Sequence, residues 1–199
     1  MEPKVFLDMR HVVYDAQIVL AETVLVAAAQ DIDDCTDYDH TAEPTGTGNI
    51  TLDAIAARLE HPRNVVLTVS GGNLTAGTVI VYGRGMCGEP INESFTLTGN
   101  GTYTGNKPFL TVDKANIFGV TGSLGSSDHI SIGNGAKIGL PMPQGAKLID
   151  VVKERFNSAD IIITPANINR EYGTYTPTST LDGAKALELW YTFKQTLEW

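Results

Sequence analysis

Val65-Val66-Leu67-Thr68-Val69, closed by Ser70-Gly71-Gly72-Asn73 and followed by Thr78-Val79-Ile80-Val81-Tyr82, decides the fold. Both runs are β-branched or aromatic, short, and separated by residues that favour turns. The paired glycines supply the positive φ that a tight hairpin turn demands. The same texture continues through Ser94–Thr98, Phe109–Val112, Asn116–Thr121, His129–Ile132 and Lys137–Leu140. Gly99-Asn100-Gly101 and Gly133-Asn134-Gly135 read as loops between such runs. Strands this closely spaced leave no room for the crossover helices of βαβ units. Residues 61–199 are therefore predicted to be all-β, an antiparallel β-sandwich or jelly-roll-like domain.

Outward from that centre, two segments keep alternatives open. Ala146–Phe156 carries Leu148, Ile149, Val151, Val152 and Phe156, a spacing compatible with a short helix, while its β-branched content permits a strand. Asp53–Glu60 has good helix formers but spans only about two turns, marginal without packing. Ala186–Phe193 alternates well enough for a closing strand, with Trp190 expected in the core and Trp199 frayed or docked on a neighbour.

Composition changes at His61-Pro62-Arg63-Asn64. Residues 1–60 hold twelve acids against three bases, whereas residues 61–199 hold eleven of each. The first sixty residues have no clean hydrophobic period, and residues 31–44 are acidic and loop-like. They are predicted to be an extended acidic N-terminal arm, packed on its own domain or on another subunit. The whole chain of 199 residues carries a formal charge of -9, so a basic stripe for nucleic acid is not expected. Its longest apolar stretch, Ile18–Ala29, is interrupted by Glu22 and Thr23, and Met1-Glu2-Pro3-Lys4 does not open a secretory signal. No membrane partner is expected. Cys35 and Cys87 form no CxxC or CxH pattern, and whether they pair stays open.

Candidate chemistry is sparse. Gly83-Arg84-Gly85-Met86-Cys87-Gly88 is a literal GxGxxG after a predicted strand, but Glu89-Pro90 and another strand follow where a dinucleotide site needs a helix N-terminus. A hairpin loop is the expected reading, with no cofactor. Asp31, Asp33, Asp34, Asp37 and Asp39, with His40, concentrate carboxylates as a hard cation would require. Laid on an EF-hand loop, however, they meet Thr36 where glycine and Ala42 where glutamate belong, so a solvated acidic loop is expected and cation binding stays open. His11, His40, His61 and His129 sit in no HExxH pattern, and no GxSxG elbow offers a nucleophile. His129 beside Asp128 suggests a base held by a carboxylate, but neighbours on a strand point to opposite faces. No catalytic or metal-binding residue is assigned, and enzyme activity is not expected. The sequons at Asn49, Asn73, Asn92 and Asn100 read as turn residues.

From Pro62 onward the pieces Pro62–Thr68, Leu74–Gly83, Asn92–Phe95, Thr104–Phe109, Ile130–Gly133, Lys137–Pro141, Gly173–Pro177 and Leu189–Tyr191 stand in an order that resembles β-rich virion structural proteins of tailed bacteriophages and prophages. The resemblance implies a particle subunit without catalytic residues. The expected function is that of a capsid decoration or cement protein, bound to the major capsid protein or other virion proteins, bridging capsomers as a homo-oligomer. Such a protein would be assembled in the host bacterial cytoplasm and carried in the virion. A neck, tail or fibre-attachment component is the alternative. An alternative of another class is a carbohydrate-binding host-attachment module, for which Tyr172, Tyr175, Trp190 and Trp199 are the candidate stacking aromatics.

Overall fold

Every regular element but one single 3-10 turn, Pro165–Asn167, is a strand among the residues that the computed structural model describes, namely 4–14, 22–31, 47–50, 58–142, 146–156, 159–181 and 186–197. In chain order these are β1 (Lys4–Tyr14), β2 (Glu22–Asp31), β3 (Thr47–Ile50), β4 (Arg58–Ser70), β5 (Leu74–Arg84), β6 (Pro90–Leu97) and β7 (Gly101–Thr104). They continue as β8 (Phe109–Gly122), β9 (His129–Gly139), β10 (Lys147–Phe156), β11 (Ala159–Ile161), β12 (Ile168–Asn169), β13 (Thr174–Tyr175) and β14 (Leu187–Leu197). All their pairings are antiparallel, and the fold is the expected sandwich-like one.

Ten strands form a curled sheet whose main path runs β12-β13-β9-β4-β8-β5-β6, with β2, β3 and β7 attached beside it. The other four form a sheet in the order β1-β14-β10-β11. Two apolar clusters follow from this arrangement. One fills the curl with Val65, Leu67, Val79, Val81, Leu97, Phe109, Ile117, Ile130 and Ile132, all buried. The other lies against the four-stranded sheet and joins Ile138, Leu140 and Tyr175 to Leu148, Val151, Leu187, Leu189, Tyr191 and Phe193. Burial of each such side chain contributes about 1.5–3 kcal/mol. Strand β9 supplies residues to both clusters.

The structure corrects several sequence expectations. Gly133-Asn134-Gly135, expected as a loop, lies inside β9, which runs unbroken from His129 to Gly139. Glycine is needed at 135 because a Cβ there would stand 2.7 Å from Asn64 Cγ. The runs Phe109–Val112 and Asn116–Thr121 are likewise one strand, β8. Gly71 and Gly72 do adopt positive φ, at 118° and 123°, but β4 and β5 are not neighbours; β8 separates them, so the turn is a corner rather than a hairpin. The Ala146–Phe156 ambiguity resolves as strand β10. Register shifts at Leu148/Asp150 and Val151/Lys153 space the inward residues Leu148, Val151, Glu154 and Phe156 by three, three and two, which mimics a helical period.

Of the segment weighed as a short helix, Arg58-Leu59-Glu60 opens β4, and Asp53–Ala57 lies outside the described residues. The compositional change at His61 falls within β4. From the acidic first sixty residues, β1 pairs along its full length with β14, β2 with β9, and β3 with β8.

Candidate functional site

The four-stranded sheet turns one face to the second apolar cluster and the other outward. In β14 the buried residues are Leu187, Leu189, Tyr191 and Phe193, so Glu188 and Trp190 point away from the core. Trp190 is therefore half-buried on the outer face and not in the core, because strand parity gives the inward place to Tyr191. His11, opposite Trp190 in the β1–β14 register, stacks on the indole at a centroid distance of 4.2 Å and an interplanar angle of 7°. From the β10 side, Lys153 Nζ and Arg155 Cζ approach the Trp190 ring to 5.1 Å and 5.4 Å. The negative face of the indole attracts both cations.

Charges complete the row. Asp160 on β11 accepts from Lys153 Nζ and Arg155 Nε, both at 2.9 Å, and these hydrogen bonds hold its carboxyl below the usual range. Glu188 lies 3.4 Å from His11 Nε2 and 4.0 Å from an Arg155 terminal nitrogen. Beside this row, on the same face as His11, stand the exposed apolar side chains Met9 and Val13 of β1. Strand β1 is also a sheet edge, hydrogen-bonded to β14 on one side only among the described residues. An aromatic anchor, arginine, methionine and aliphatic groups beside an open edge are the makings of a protein-binding face.

The candidate sugar-stacking aromatics do not converge. Tyr175 is fully buried, Tyr172 is half-buried, and the Trp190 indole is engaged by His11, Lys153 and Arg155. Trp199 lies outside the described residues.

The other singled-out residues have local roles. Gly83 and Arg84 end β5, and Gly85–Glu89 links it to β6 as a true hairpin, closed by the Arg84–Pro90 pair and by a hydrogen bond from Gly85 N to the Glu89 carbonyl of 2.9 Å. Cys87 at its tip is exposed, with Sγ 3.7 Å from the Met142 carbonyl; Cys35 lies outside the described residues. Of the acidic cluster, only Asp31 is described, paired across from His129 at the end of β2; Asp33, Asp34, Asp37, Asp39 and His40 lie outside. No group of three or more His, Cys, Asp or Glu side chains is gathered around one point among the described residues.

Asp128 and His129 do not act together. The Asp128 carboxylate accepts from Asn73 N and Nδ2, both at 3.0 Å, and from Gly125 N at 2.9 Å, whereas the His129 ring lies 2.9 Å from the Ser127 carbonyl. Burial raises the Asp128 pKa, but the Asn73 side chain and the Asn73, Gly125 and Gly72 amides outweigh it, and the net direction is downward. A carboxyl lowered in the folded state stabilises above its unfolded value, about 3.9, and that contribution is lost as pH falls through the folded value. Urea unfolding of wild type is thus expected to show falling stability below about pH 4, and Asp128→Asn to lose about 1–3 kcal/mol at neutral pH together with that acid-dependent component. An unchanged acid dependence in the variant would remove Asp128 from this role.

Sequence reasoning missed two buried polar groups. Glu154, on the inward face of β10 with no exposure, accepts from the Tyr175 hydroxyl and from Thr178 N and Oγ1 at 3.1 Å and 2.8 Å. Burial, then the adjacent Glu154 carboxyl, push the Tyr175 phenol upward, so it remains a donor. The second group surrounds the register break in β4 between Arg63 and Val65. There the buried Arg63 donates through Nε to the Gly135 carbonyl at 2.9 Å. Asn64 Nδ2 reaches Gly105 O at 3.1 Å, Asn64 Oδ1 accepts from Lys137 N at 2.8 Å, and Lys137 Nζ lies 2.5 Å from Asn106 Oδ1 and 2.9 Å from Gly105 O. The only visible signal was Arg63-Asn64 standing directly before an apolar run, which reads as surface until Gly135 is placed beneath it. No protein-family profile matches the chain, and neither a curated protein nor a solved structure is detectably similar to it.

Proposed function

We propose that the chain is a structural subunit of a bacteriophage particle, a decoration or cement protein that binds the major capsid protein on the outside of the head and bridges capsomers as a homo-oligomer. One observation supports an adhesive role above the others: the outer face of the four-stranded sheet, where Trp190 and Arg155 lie beside exposed Met9 and Val13 at the open β1 edge. The work done there is packing. Apolar area is removed from water at the centre of a contact while the charged row fixes orientation. Many weak contacts, repeated by symmetry, then oppose outward pressure on the shell. A net negative surface is no obstacle to a protein partner.

Quantitative peptide mass spectrometry of purified particles tests the reading. Copies approaching those of the major capsid protein are the expected result. A handful of copies per particle would move the subunit to neck, tail or fibre attachment, and absence from particles would overturn the structural reading altogether.

A further inference from the structure

Lys137, Asn106 and Glu93 are brought together from three separate parts of the chain. Lys137 is held in β9 by the bond from its amide to Asn64 Oδ1. Asn106 is held in the loop after β7, where Gly105 N donates to Val65 O at 2.9 Å and Asn106 N donates to Glu93 Oε1 at 2.7 Å. Gly105 makes room for Glu93, because a Cβ at that position would stand 3.0 Å from the Glu93 Cδ. Lys137 Nζ then lies 2.5 Å from Asn106 Oδ1. With a carbonyl length of about 1.23 Å, the amine is roughly 3–3.7 Å from the carboxamide carbon but on its oxygen side, so attack needs only that the Asn106 carboxamide turn its face toward the amine.

We propose that Lys137 and Asn106 become joined by an intramolecular isopeptide bond, with Glu93 as the proton carrier. Glu93, which acts on Lys137 electrostatically, first takes a proton from the Lys137 ammonium relayed by one water, leaving a neutral amine whose lone pair attacks Asn106 Cγ as the carbonyl electrons move to Oδ1. Glu93 passes its proton to Nδ2 and removes one from the attacking nitrogen. The Cγ–Nδ2 bond breaks, the carbonyl reforms and ammonia leaves, taking from Glu93 the proton removed from the attacking nitrogen, so that ammonium departs and the carboxylate is restored. One amide forms, one amide is lost, and neither an oxidant nor a co-reactant is needed. Burial lowers the Lys137 pKa, with the Glu93 charge opposing it, which favours the neutral nucleophile. The cross-link would tie β9 to the loop that leads into β8, beside the joint where Pro62 and Pro108 pack on Gly139.

Intact-mass and peptide mass spectrometry of the purified, folded chain after incubation at neutral pH decide the matter. The expected result is a mass lower than that of the sequence by one ammonia, with a branched peptide linking residues 106 and 137. Lys137→Arg and Glu93→Gln, each shown to be folded by urea unfolding, are expected to retain the full mass, while Asn106→Asp is expected to lose one water instead. A full-mass wild type, or an ammonia loss that maps to Asn100-Gly101 or Asn134-Gly135 without a branched peptide, would overturn the proposal.

Discussion

Replacing Gly83 by alanine is expected to cost about 3 kcal/mol or more, the largest effect of any glycine change in Gly83–Gly88. A Cβ at this buried position would overlap the Thr111 carbonyl oxygen of β8 and stand 2.9 Å from Phe109 Cδ1. Backbone on the facing strand cannot swing aside as a side chain can. By contrast, Gly88 has nothing within 4 Å of its Cβ position, and only its φ of 80° opposes substitution, at about 1 kcal/mol. At Gly85 the obstacle is the end of the Glu89 side chain, whose displacement sacrifices its 2.9 Å bond from Cys87 N. Urea denaturation of the three alanine variants is expected to rank Gly83 far above the other two. Equal costs would mean that the close approach of β8 does not dictate this glycine.

Tyr175→Phe is expected to destabilise the fold by about 2–4 kcal/mol, although it removes a single oxygen. Glu154 would remain fully buried with Thr178 as its one remaining partner residue, and its Oε1 already has no hydrogen-bond partner among the described residues. The cost comes from stranding a polar group in an apolar cluster more than from the bond itself. It follows that Glu154→Leu made together with Tyr175→Phe is expected to return to within about 1 kcal/mol of wild type, since both partners are then apolar and Thr178, on the surface, can turn to water. Additive losses in this double-mutant cycle would rule out the coupling.

The all-β architecture was legible because Val, Ile, Thr and aromatic runs alternate with turn residues over most of residues 61–199. Legibility failed where packing replaces local preference. Gly133 and Gly135 look like a loop when only their neighbours in sequence are considered, yet Asn64, some seventy residues away, is what requires the second of them. Two bulges gave β10 a spacing that imitates a helix. Trp190 and Tyr191 are adjacent aromatics, and nothing local states which of them faces inward; the Leu187 and Leu189 parity decides it once the sheet exists. The outer face was invisible for the same reason, since His11, Lys153, Arg155 and Trp190 become neighbours only through strand order.

Strand β9 is common property of the two apolar clusters: Ile130 and Ile132 serve the curled sheet, while Ile138, with Leu140 just beyond the strand, serves the four-stranded one. Neither sheet can therefore peel away as an independent unit, and the slowest amide protons of both are expected to exchange with the same opening free energy. Mechanically, β9 acts as a keel. Load taken by the outward sheet would pass along it into the larger body of the molecule as strain shared among many hydrogen bonds, and would not concentrate at a hinge.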